Sequence, residues 1–264
     1  MYISHMRSEG DRLLESVDEL IEISRRSGAP AEIYHLKQAG RSNWGKLDEV
    51  IKRVEAARAA GLRITADMYS YTAGGTSVSA SLPPWVQDGG NEAMLKRLRD
   101  PEVVARVKRE MVKPGDNCEN LYLHAGPEGI LLAGLVDPSL KPLIGKTIAD
   151  VAKTRGDSPE QAVIDIIIAD QGRAGALYFL MSEDNVRRQA ALPWMSFGSD
   201  GEASAPEGVF LKSSAHPRAY GNFARFLGRY VRDQKVAPLP DAIRRLTSLP
   251  AQKFNLHDRG LVRP

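Results

Sequence analysis

The first seventy residues carry the strongest constraint on the fold. Tyr2-Ile3-Ser4 is a short apolar run that ends at His5, and Ala31-Glu32-Ile33-Tyr34 is a second that ends at His35. Between them, residues 10–27 place Leu13, Leu14, Val17, Leu20, Ile21 and Ile23 at three- and four-residue steps, the period of an amphipathic helix. Gly28-Ala29-Pro30 stops that helix. Residues 44–60 repeat the pattern, with Leu47, Val50, Ile51, Val54 and Ala57 on one face and Gly61 as the stop. Leu62 to Ala66 reads as a third strand leading to Asp67. A β-α-β-α-β rhythm with short loops calls for parallel strands joined by crossover helices. In a parallel α/β barrel the C-terminal strand ends build the site, so His5 and His35 are expected at one mouth.

The rhythm breaks after Tyr69. Tyr71 to Ser77 reads as a glycine-containing loop, and charged helices are expected near 91–98 and 101–112. An excursion over residues 73–118 reads as an insertion or a lid over the mouth. The α/β rhythm is expected to return with a strand at Asn120–His124. Helices follow near 147–154 and 158–171, then a strand at 176–180, a helix at 182–190 and a strand at 194–198. After Tyr220 the chain is mostly helical in pattern.

The strand ending in Gly198-Ser199-Asp200-Gly201 adds a carboxylate to the two imidazoles. Neutral imidazole is a good zinc ligand, and a carboxylate beside a metal site can serve as general base. Each residue also has an ordinary role. A lone histidine is most often a core or surface residue, and two at matched strand ends bring that reading and the metal reading to about even weight. Ser-Asp-Gly also makes a good turn.

The chain has 264 residues, enough for one α/β barrel or two small domains. Its net charge of +3 and lack of a basic block give no footprint for nucleic acid or an anionic membrane. No apolar run is long enough to cross a bilayer, and Arg7, Glu9, Asp11 and Arg12 interrupt any signal peptide. The single cysteine, Cys118, excludes an intrachain disulfide and fits a reducing, cytoplasmic setting. Tyr2-Ile3-Ser4 reads as a buried strand with no preceding turn or cap, and Asp258 to Pro264 as the lead into another strand, so the chain is expected to be a piece of a longer protein.

Six short segments, in order, resemble the N-acyl-D-amino-acid deacylase (D-aminoacylase) family of the amidohydrolase superfamily. They are Tyr2–Gly10, His35-Leu36-Lys37, Ala66–Gly74, Tyr178–Glu183, Gly198–Gly201 and His216–Gly221. The resemblance implies a Zn2+-dependent (β/α)8 barrel that cleaves the amide of a small N-acyl-D-amino acid. In it His5 and His35 match two metal ligands and Asp200 the catalytic aspartate. Lys37, Tyr69 and Arg188 match substrate-holding positions, Arg188 being equally well read as a solvated helix arginine. The family's first-strand His-x-His, its early cysteine ligand and its small β-sandwich have no counterpart here. Cys118 lies outside the matching position, and Leu36 stands where the family has a second histidine. Three alternatives stay open: a relative acting on a cyclic amide, one acting on an acylated dipeptide, and an inactive barrel fragment with an incomplete metal set. Homo-oligomerisation is also open.

Overall fold

A computed structural model describes residues 1–115, 119–212 and 214–262; Cys118 lies outside the described residues. The chain divides into two compact units. The first comprises Met1–Thr72, Met181–Glu202 and Pro217–Pro264, and the second Ala73–Leu180 and Ala203–His216.

The first unit opens with β1 (Tyr2–Ser4), α1 (Leu13–Ser27), β2 (Ala31–Ile33), α2 (Leu47–Ala59) and β3 (Ile64–Met68). The helical period works as expected: Leu13, Val17, Leu20 and Ile21 of α1 are buried, and so are Leu47, Val50, Val54 and Ala57 of α2. α1 ends where Gly28 turns left-handed, at φ +69°, and donates its N–H to the Ser24 carbonyl.

The second unit follows with β4 (Ala73–Ser77), α3 (Gly90–Arg97), α4 (Pro101–Met111), α5 (Leu121–Ala125), β5 (Ile130–Gly134), α6 (Ile148–Arg155), α7 (Pro159–Ala169) and β6 (Gly175–Phe179). Its strands form a separate antiparallel sheet in the order β4-β6-β5. Two expectations fail here. Asn120–His124 is a helix, because the Asn120 side chain accepts the N–H of Leu123 and caps a short turn in which Tyr122 is buried and Leu123 exposed. The strand of that region is β5, ten residues later. The glycine-rich stretch read as a loop is β4, where Gly75 packs so closely that a Cβ would come within 3.2 Å of the His216 ring.

The first unit resumes with α8 (Glu183–Ala190), β7 (Met195–Phe197), α9 (Arg218–Arg225), a π-helical turn at Phe226–Asp233, α10 (Leu239–Leu246) and α11 (Ser248–Lys253). β7 joins the first three strands in a four-stranded sheet, ordered β1-β2-β3-β7 and parallel throughout. β2 and β7 are buried along their whole length, as a parallel sheet covered on both faces requires.

A buried charge network anchors α11 to three strands. Lys253 Nζ lies 2.7 Å from Glu32 Oε1 on β2, 2.7 Å from Ser196 Oγ on β7 and 3.2 Å from the Ala66 carbonyl on β3. Thr65 Oγ1 donates to the same Glu32. Burial raises the Glu32 carboxyl and lowers the Lys253 amine, each pulled back in part by the other. Among the described residues no helix is long and apolar enough to cross a membrane.

Candidate active site

Four parallel strands deliver side chains at the same ends. His5 follows β1, Tyr34 and His35 follow β2, Tyr69 follows β3, and Asp200 sits three residues past β7. The two imidazoles meet: His5 Nδ1 lies 3.2 Å from His35 Nε2, with the rings edge to face at 4.9 Å between centroids. His35 adopts φ +34°, a left-handed conformation that few non-glycine residues take, and its N–H donates to Asp67 Oδ1 at 2.9 Å. Burial raises the Asp67 carboxyl, and that N–H partly offsets the rise.

A third group completes the cluster, and the sequence reading passed it over. Glu9 lies four residues after His5, in the loop between β1 and α1, and is 5% exposed. Its Oε1 is 2.9 Å from His35 Nδ1, 2.7 Å from Lys37 Nζ and 3.8 Å from His5 Nδ1. The possible ligand atoms of His5, Glu9 and His35 all lie within 4.8 Å of one another. Burial alone would raise the Glu9 carboxyl. Lys37, the hydrogen bond from His35 and the two imidazoles outweigh it and hold the carboxyl down at about 2. A signal was present, in an acidic residue four positions after the first histidine.

Lys37 is also buried, with Nζ 2.7 Å from His35 Nδ1. Burial would lower its amine, but the charges of Tyr69, Glu9 and Asp200 more than reverse this and hold the ammonium above its ordinary range. Tyr69 is buried near two cations, its ring centre 5.7 Å from Lys37 Nζ and 4.4 Å from the Arg218 guanidinium. Burial raises its phenol.

Asp200 is the second left-handed residue of the site, at φ +48°. Its Oδ2 pairs with Arg218 Nη2 at 2.8 Å. Its charge is felt by Lys37, Tyr69 and Asp67. The loop carrying it runs hard against α9, where a Cβ on Gly201 would come within 3.0 Å of Ala219. Asn222 of α9 braces the two strand ends together. It donates to the Gly198 carbonyl at 2.7 Å and accepts the Ser70 N–H at 2.7 Å.

One expected substrate residue lies elsewhere. Arg188 pairs with Asp48 of α2 rather than with any member of the cluster. The buried guanidinium beside the site is Arg218, in the His216–Gly221 stretch, where the motif by itself gives the arginine no role. His216 itself belongs to the second unit, where its Nε2 bonds the Ala73 carbonyl at 2.8 Å.

The donor set suits zinc. Two tetrahedral bonds of about 2.0–2.1 Å place their nitrogens about 3.3 Å apart, close to the 3.2 Å between His5 Nδ1 and His35 Nε2. A carboxylate on the far nitrogen of one ligand is the usual support for a metal-bound imidazole.

No protein-family model matches the chain. Over 260 residues it is 28% identical to N-acyl-D-glutamate deacylase of Alcaligenes xylosoxydans xylosoxydans, an alignment spanning 98% of this chain and 42% of that protein. It is 31% identical over 264 residues to D-aminoacylase of the same organism, with the same two coverages. The crystal structure of N-acyl-D-glutamate deacylase from Bordetella bronchiseptica, complexed with zinc and a phosphonate mimic of the tetrahedral intermediate, superposes with a TM-score of 0.71 at 26% identity. That match covers 100% of this chain and 44% of the crystallised one. The chain thus spans about two fifths of the length of the relatives it matches.

Proposed function

Because the chain belongs to the N-acyl-D-amino-acid deacylase (D-aminoacylase) family, we propose that its parallel sheet is part of a zinc-dependent (β/α)8 barrel that hydrolyses N-acyl-D-amino acids. In this reading the expected excursion over 73–118 is part of a larger insertion, the second unit of Ala73–Leu180 and Ala203–His216. The observation that carries the proposal is the 3.2 Å approach of His5 Nδ1 to His35 Nε2 from successive strand ends. The relatives' names supply the substrate class, an amide between an acyl group and a D-amino acid.

His5 and His35 would hold the metal. Zinc, when bound, supplies Lewis-acid polarisation to an acyl carbonyl and to water. The remaining work falls to the chain's own side chains. Asp200, oriented by Arg218 through Oδ2, takes a proton from the attacking water and passes it to the departing amide nitrogen. Lys37 and Arg218 place two buried cations near the Tyr69 ring, a setting that recognises the carboxylate of an amino-acid substrate.

The test is hydrolysis of N-acyl-D-glutamate and a neutral N-acyl-D-amino acid, with the L enantiomers as controls. It is run on the 264-residue chain and on the same chain extended to its relatives' length. The proposal expects zinc-dependent, D-selective release of amino acid from the extended chain. Zinc-loaded extended protein that hydrolyses none of these amides would overturn it.

A further inference from the structure

His35 has close polar partners at both ring nitrogens, and two of them converge on Nδ1. Nδ1 lies 2.9 Å from Glu9 Oε1 and 2.7 Å from Lys37 Nζ, while Nε2 faces His5. A neutral imidazole carries one N–H, so these contacts compete. If Nδ1 holds the proton, it donates to Glu9 and leaves the Nε2 lone pair aimed at His5. If Nδ1 accepts from Lys37, the proton sits on Nε2 and blocks the position that a metal would take. Glu9 also lies 2.7 Å from Lys37 Nζ. The carboxylate only accepts, so it can take the ammonium and an Nδ1–H together, whereas an unprotonated Nδ1 would set its lone pair against Oε1 at 2.9 Å.

We infer that Glu9 is a positioning residue that fixes His35 as its Nδ1–H tautomer, holding the Nε2 lone pair ready for a metal. The inference rests on the reading of His5 and His35 as metal ligands. Its first readout does not depend on metal.

The experiment is 15N NMR of histidine-labelled, metal-free protein at a pH where His35 is neutral, with zinc affinity measured by chelator competition. The wild-type chain is expected to show His35 as Nδ1–H. Glu9→Gln keeps an acceptor at the same reach and is expected to keep the tautomer. Lys37→Met is expected to keep it as well. Pairing Glu9→Met with Lys37→Met removes both buried charges and replaces them with apolar side chains of similar size, a change that folds commonly tolerate. The double variant is expected to lose the tautomer preference and to bind zinc about 10- to 100-fold more weakly than Lys37→Met alone, the usual cost of losing such a support.

An Nε2–H tautomer in wild type would overturn the inference. So would a double variant whose tautomer and zinc affinity match those of Lys37→Met. Wild-type protein with the Nδ1–H tautomer but no zinc binding would leave Glu9's role standing and overturn the metal reading instead.

Discussion

His35 and Asp200 both take left-handed backbone conformations, at φ +34° and +48°, and both carry the proposed chemistry. Such residues cost about 1–3 kcal/mol where the surroundings must enforce them, and they gather at functional sites. Here the enforcement is visible: Asp67 holds the His35 N–H, and Arg218 holds the Asp200 carboxylate. Asparagine tolerates the left-handed region as well as aspartate does, so Asp200→Asn keeps the backbone and removes the base. In the extended enzyme, turnover is expected to fall at least about 10²-fold, the low end for a positioned general base. Zinc content should stay near wild type, whereas His35→Ala should lose zinc and activity together. Glu9 gives the site a pH dependence of its own. Its folded-state carboxyl is held at about 2 against an ordinary 4.5, so its stabilisation is full above about 4.5 and is lost as the pH falls towards 2. That stabilisation is on the order of 3 kcal/mol. Urea unfolding of the metal-free chain between pH 6 and pH 2.5 should show the loss, and Glu9→Gln should flatten it.

The elements of the parallel sheet were legible because their period is local. Each buried stripe of α1 and α2 falls on the residues that the three- and four-residue steps select. β3 starts at Ile64, two residues after the expected Leu62, although the Arg63 carbonyl already accepts the Ala31 N–H of β2 at 2.9 Å. The second unit was read less well because its decisive contacts come from far along the chain. Nothing near Gly75 announces the His216 ring that packs on it, and the cap that makes Asn120–Ala125 helical is one side chain. Charges inside the sheet were also missed, since a lone Glu32 in an apolar strand does not name Lys253 as its partner. The pair makes a test at this scale. Lys253→Met strands a carboxylate among buried strands, and chemical denaturation should register a loss of about 3–5 kcal/mol. Adding Glu32→Gln should recover a substantial part of it.

Across the molecule, the catalytic reading depends on the four strands of one sheet and the helices that return to them. Residues 2–69 supply the imidazoles, Glu9, Lys37 and Tyr69. Residues 195–222 supply Asp200, Arg218 and the brace of Asn222. The first group was largely legible, because strand ends in a βαβ rhythm point the same way. Arg218 was not, since only the fold reveals that a guanidinium eighteen residues past Asp200 returns to its carboxylate. In the proposed enzyme His5 and His35 hold one zinc ion between them. X-ray absorption at the zinc edge of the loaded 264-residue chain tests it directly. Two imidazole nitrogens at about 2.0–2.1 Å are expected in the zinc shell. A shell of oxygen donors with one imidazole or none would contradict it.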